Sequence, residues 1–172
     1  WGYGKSTFLE RFKLTYEKKN KESIVFWYRI WKNKTSTGII ENFFEELKFQ
    51  LEPYSGSISN KLDNYVKAVL DLSPSEIQKF LTTGVDLFSE TNSLEKYYNE
   101  INNIIKKIDR QIIVLLDDLD RLDKSEILNA LKLIRTISDF NNVIFIAGYD
   151  RKYITDTIAQ PKNNYLDKIF NV

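Results

Sequence analysis

Three short runs in this chain, Ser23–Ile30 (SIVFWYRI), Gln111–Leu116 and Val143–Ala147, are apolar on both of their faces, and a strand of that kind is stable only inside a covered sheet. Segments of helical period lie between them. Phe8, Leu9, Phe12 and Leu14 mark a helix from Ser6 to about Lys18. Ile39, Ile40, Phe43, Phe44, Leu47 and Leu51 mark a second, opened by Thr35-Ser36-Thr37-Gly38 and closed by Pro53. Leu94, Tyr97, Tyr98, Ile101, Ile104, Ile105 and Ile108 trace one face of a third, with Lys96, Asn99, Lys106 and Lys107 on the others. A fourth helix runs from Asp123 to about Asp139, with Asp123 and Glu126 placed as a capping box, and a last one follows Tyr149-Asp150-Arg151 through Ile158, closed by Pro161. Alternation of strand and helix predicts an α/β fold, a parallel sheet with helices on both faces. Residues 54–92 interrupt the pattern and read as an insertion of two short helices, the second opened by Ser73-Pro74-Ser75-Glu76. The tail from Tyr165 fits helix or strand.

Composition narrows the chemistry. With 172 residues, 42% of them hydrophobic and 28% charged, the chain suits one soluble globular domain, residues 1–172. A net charge of +1 points to no nucleic acid or acidic partner. The absence of Cys and His removes disulfides, thiol nucleophiles, Ser-His-Asp triads and Cys/His zinc sites. No apolar stretch approaches the about 18 residues of a membrane span, and Trp1-Gly2-Tyr3-Gly4-Lys5 has no signal-peptide character. The chain looks like the middle of something longer, expected in the cytoplasm, whether free or at the cytoplasmic face of a membrane.

Gly4-Lys5-Ser6-Thr7 opens the first helix, and a phosphate site needs these residue types. Glycines, here Gly2 and Gly4, let backbone N–H groups close around oxygens; Lys5 neutralises the β and γ phosphates; the Ser6 hydroxyl ligates magnesium, with Thr7 near the α phosphate. The first glycine of the full G-x-x-x-x-G-K-[ST] pattern would lie two residues before Trp1, and the strand that feeds the loop before that. The apolar run ending at Leu116 delivers Asp117 and Asp118 at its C-terminal end, where ligands bind in open α/β sheets. Asp117 would hold magnesium, directly or through water. Asp118 would orient or deprotonate the attacking water. Together the motifs predict a nucleoside triphosphate, ATP or GTP, bound with Mg2+.

Trp1-Gly2-Tyr3-Gly4-Lys5-Ser6 and Asp117-Asp118-Leu119-Asp120-Arg121 resemble the W-G-x-G-K-[ST] and D-D-L-D-R signatures of the KAP family of P-loop NTPases. Val143–Asp150 and Tyr165-Leu166-Asp167-Lys168-Ile169 resemble its later landmarks. The resemblance implies Gly2, Tyr3, Gly4, Lys5, Ser6 and Thr7 around the nucleotide, and an additional-strand sheet of order 5-1-4-3-2 whose first strand precedes this chain. It implies that Asp150 approaches the γ phosphate as a sensor; the alternative is that Asp150 caps the next helix. Arg121 is expected in an ion pair with Asp120 or Asp123, or else as a phosphate-sensing arginine. Some family members carry membrane helices and several bacterial ones look like phage-defence proteins, so a homo-oligomer or protein partner reached through regions outside this segment is expected.

Two functions fit these residues. One is an ATPase coupled to a conformational switch, with Lys5 and Asp118 catalytic. The other is a nucleotide-gated interaction module with little turnover, and a nucleoside kinase stands behind both. Most of the aromatic residues are expected in the core, with Trp1 and Trp31 exposed.

Overall fold

The computed structural model describes residues 4–32, 38–72, 92–158 and 166. The expected helix at Ser73–Glu76, the tail apart from Leu166, and Trp1, Gly2 and Tyr3 lie outside these. In chain order the elements are α1 (Lys5–Lys19), β1 (Ile24–Tyr28), α2 (Gly38–Leu51), α3 (Ile58–Leu70), α4 (Asn92–Ile108), β2 (Ile112–Asp117), α5 (Lys124–Ile137), β3 (Val143–Gly148) and α6 (Arg151–Ile158). Single 3-10 turns occupy Ile30–Lys32 and Leu119–Arg121.

Among the described residues three strands form a parallel sheet, in the order β1-β2-β3. Ile24 pairs with Ile112 and Tyr28 with Leu116; Ile112 in turn pairs with Val143 and Asp117 with Gly148. Every residue of β2 is buried, as an apolar strand between two neighbours must be. Because side chains alternate across a strand, the sheet has two separate cores. Ile24, Phe26, Tyr28, Ile112, Val114, Leu116 and Val143 face the larger one, which α2 to α6 all enter. Val25, Ile113 and Leu115 face the smaller one, closed by Leu9 with Phe12 and Tyr16 of α1.

β1 ends two residues earlier than the sequence predicts. Its pairing with β2 stops at Tyr28, and the chain turns into the 3-10 segment that carries Trp31, 39% exposed. The predicted insertion is less separate than its sequence implies. Leu62, Tyr65 and Val69 of α3 are fully buried in the larger core, and the Tyr65 hydroxyl donates to the Thr136 carbonyl at 2.7 Å. Burial pushes the Tyr65 phenol up, so that hydroxyl stays protonated and able to donate. Lys61 of α3 reaches Glu100 of α4 at 2.6 Å, and Lys48 of α2 reaches Asp63 at 3.2 Å.

α5 begins as predicted. The Asp123 carboxylate accepts from the Glu126 N–H at 2.9 Å, and Glu126 accepts from the Asp123 N–H at 2.8 Å, a complete capping box. The hydrogen bond from Glu126, helped by Ser125 against desolvation, holds the Asp123 carboxyl below the ordinary aspartate range. A carboxyl depressed in the folded state contributes stability above its unfolded pKa of about 3.9 and loses it as pH falls through the lower folded value. Asp123→Ala is therefore expected to lower the melting temperature at about pH 7, with the deficit shrinking as acid protonates the wild-type cap. Melting curves of both proteins from about pH 7 to pH 3 check this; a deficit that does not change with pH contradicts it.

Candidate functional site

Gly4 takes the left-handed conformation, φ 71°, and directly precedes α1; the Phe8 N–H donates to its carbonyl at 2.8 Å. A side chain here would be strained by that φ whatever the space around it. Among the described residues no side chain caps α1, its first turn holds no acidic residue, and Ser6 and Thr7 are exposed. The positive end of the helix is thus left for an anion. Leu9, 2% exposed, anchors this turn against the sheet.

The C-terminal ends of β2 and β3 meet the start of α1. Asp117, 7% exposed, closes β2, and its Oδ1 accepts from the Asp118 N–H at 3.0 Å. Beside it stands Gly148. A Cβ on Gly148 would lie 3.2 Å from Leu9 Cδ1, 3.3 Å from Lys5 Cβ and 3.4 Å from Asp117 Oδ1. With a side chain here Leu9 and Lys5 would have to give by a few tenths of an ångström, so the glycine eases the approach of the lysine and the aspartate to the end of β3. Gly148 is thus a residue of the site that the sequence reading passed over, although a glycine ending an apolar strand is the usual mark of a close approach.

Past Asp117 the chain bends sharply. Asp118 has φ 64°, a left-handed conformation that Asp and Asn tolerate best among residues with side chains. The turn Leu119–Arg121 follows, held by Leu119 at 2% exposure. Its two charged side chains engage both predicted catalytic residues. Arg121 Nε lies 3.0 Å from Asp118 Oδ1, and its guanidinium stacks 5.6 Å above the Trp31 ring. The expected pairing of Arg121 with Asp120 or Asp123 is therefore corrected: the i,i+3 reach of the turn presents Asp118 to it, while Asp123 is committed to its cap. Asp120 instead meets Lys5, whose Nζ lies 3.2 Å from Oδ1 and donates to Oδ2 at 3.3 Å.

Asp150 adopts the capping geometry. Its Oδ1 accepts from the Tyr153 N–H at 3.0 Å at the start of α6. That hydrogen bond, a second from Lys152 and the Lys5 charge hold its carboxyl below the ordinary range against desolvation. Tyr153 in turn donates through its hydroxyl to the Leu122 carbonyl at 3.1 Å, tying α6 to the turn after β2.

For a cation, the Ser6 hydroxyl and the Asp117 carboxylate are hard oxygen donors. Among the described residues no cluster of three or more potential protein ligands occurs. Donors of this kind suit a hard cation such as Mg2+. Among the described residues no helix is long and apolar enough to cross a membrane.

A family model for the KAP family P-loop domain matches residues 1–172. The chain is also similar to the phage T7 exclusion protein of Escherichia coli (strain K12), 29% identical over 109 residues, which cover 57% of this chain and 15% of that protein. No solved structure matches.

Proposed function

Because this chain belongs to the KAP family of P-loop domains, we propose that it binds ATP with Mg2+ and hydrolyses it to ADP and phosphate, coupling turnover to a conformational switch. The observation that carries this reading is the convergence of Lys5 and Asp117 over Gly148, beside an uncapped helix start. In this reading Gly2, Tyr3, Gly4 and Thr7 cradle the phosphates with their backbone, and Lys5 holds the β and γ oxygens. Ser6 and Asp117 hold the magnesium, which when bound offsets charge developing on the phosphates. Asp118 orients or deprotonates the water that attacks the γ phosphorus as the bridging oxygen leaves with ADP. Asp150 stands near the γ phosphate while capping α6.

The reading extends to the whole domain. Residues 1–172 form one unit, with the insertion at about 54–92 built onto it. The sheet is of the additional-strand type, order 5-1-4-3-2, and the phosphate-loop strand lies against the outer edge of β3. The adjacency of β3 to β2, and of β2 to β1, supports that order. The relative named for phage exclusion supports a defence role; its place in the cytoplasm and its action through further copies or protein partners are part of the proposal. One observation favours the alternative of a nucleotide-gated interaction module: Asp118 is engaged by Arg121, a pairing suited to slow turnover.

Magnesium-dependent ATP binding by titration calorimetry and phosphate release, both on the full-length protein, test the proposal. Lys5→Ala is expected to weaken binding about tenfold to a hundredfold, because it removes charge-assisted bonds to phosphate. Equal affinities in variant and wild type would sink it, and binding without turnover would favour the interaction module.

A further inference from the structure

The turn Leu119–Arg121 presents a third carboxylate to the site, and its surroundings are unusual. Asp120 is 18% exposed at its side chain and reaches from this turn to Lys5 of α1. Its Oδ1 is fully buried and accepts no hydrogen bond from the described residues, although Lys5 Nζ lies 3.2 Å away. Buried carboxylate oxygens in purely structural ion pairs are normally satisfied, and an exception calls for an explanation. Lys5 is the only cation paired with this carboxylate among the described residues, since Arg121 turns to Asp118. Any phosphate that reaches the Lys5 ammonium therefore meets Asp120 already on it. Two anions sharing one ammonium in a part-buried site repel each other, and weak screening there makes the repulsion count.

Resting on the nucleotide reading above, we infer that Asp120 competes with the nucleotide's phosphate for Lys5 and so sets the affinity of the site. Asp120 is then a positioning residue that acts through Lys5. The contact is an imperfect one that can be traded, since one of its acceptors is unsatisfied. The same turn engages Asp118 through Arg121, so two adjacent residues hold the two catalytic groups.

The test is MgATP affinity by calorimetry on the full-length protein, with Asp120→Asn and Asp118→Asn compared under one salt concentration. Asp120→Asn is expected to bind about threefold to tenfold more tightly than wild type, with a melting temperature close to it, whereas Asp118→Asn binds like wild type. Asp120→Ser repeats the comparison if the Asn variant does not fold. Weaker binding by the Asp120 variants overturns the inference and makes Asp120 an aid to binding. Equal tightening by Asp118→Asn also overturns it, since the gain would then come from local charge and not from Lys5. If neither wild type nor Lys5→Ala binds MgATP, the nucleotide reading itself falls and this inference falls with it; if wild type binds and only the Asp120 expectation fails, the nucleotide reading stands.

Discussion

Asp118→Asn is expected to cut ATP turnover by the full-length protein about 10²- to 10⁴-fold while leaving MgATP affinity within about threefold of wild type, the range that loss of a positioned proton acceptor usually spans. The substitution isolates the chemistry because everything else about residue 118 tolerates it. Asn adopts the left-handed conformation nearly as readily as Asp, so the φ of 64° that turns the chain after β2 is retained. The N–H that donates to Asp117 belongs to the backbone and stays in place. Arg121 loses its carboxylate, but its side chain is 53% exposed and stacked on Trp31, so water takes up the guanidinium at little cost. Single-turnover phosphate release, measured beside calorimetric affinity, checks the outcome. If turnover in the variant equals that of a wild type that does turn over, Asp118 does not act on the attacking water.

Phe43→Ala is expected to destabilise the fold by about 3–5 kcal/mol, a large part of the roughly 5–15 kcal/mol that holds a domain together. Phe43 is fully buried on α2, in the larger core. Its ring centroid lies 5.1 Å from that of Tyr28 and 6.2 Å from that of Phe26 on β1, and 5.9 Å from that of Phe145 on β3. Phe44, edge-on at 5.5 Å, closes the cluster. One side chain thus touches both strands that flank β2, so its removal opens a gap at the centre of the cluster. Urea denaturation is the measure: the midpoint should fall with an unchanged slope, since the same surface is exposed on unfolding. A midpoint shift worth less than about 1 kcal/mol would mean that the cluster repacks around the gap.

Much of the architecture was legible because local signals agreed with one another. The period of the apolar residues separated helix from strand, the Asp123 and Glu126 pair marked the start of α5, and Pro53 and Gly38 bracketed α2. Boundaries were less legible where they depend on a partner. β1 stops at Tyr28 because its pairing with β2 ends at Leu116, and nothing in SIVFWYRI itself records that. Likewise α3 reads as a detachable insertion, since its ties to Thr136 and Glu100 join residues far apart in the chain.

The site divides in the same way. By itself the sequence determined which groups are available: Gly4 where the backbone must turn left-handed, a lysine and two hydroxyl residues at a helix start, and two carboxylates at the end of an apolar strand. These follow from residue type and short spacing, where sterics and hydrogen-bond geometry act over a few residues. Only the tertiary structure decided who meets whom. Parallel pairing sets Asp117 beside Gly148, 31 positions later, and the packing of α1 on that edge brings Lys5 to Asp120, 115 positions away. Arg121 had several carboxylates within a few residues, and the hand of one 3-10 turn chose Asp118. Charge and composition are the same for every such pairing; the direction in which each side chain leaves the folded backbone is what separates them.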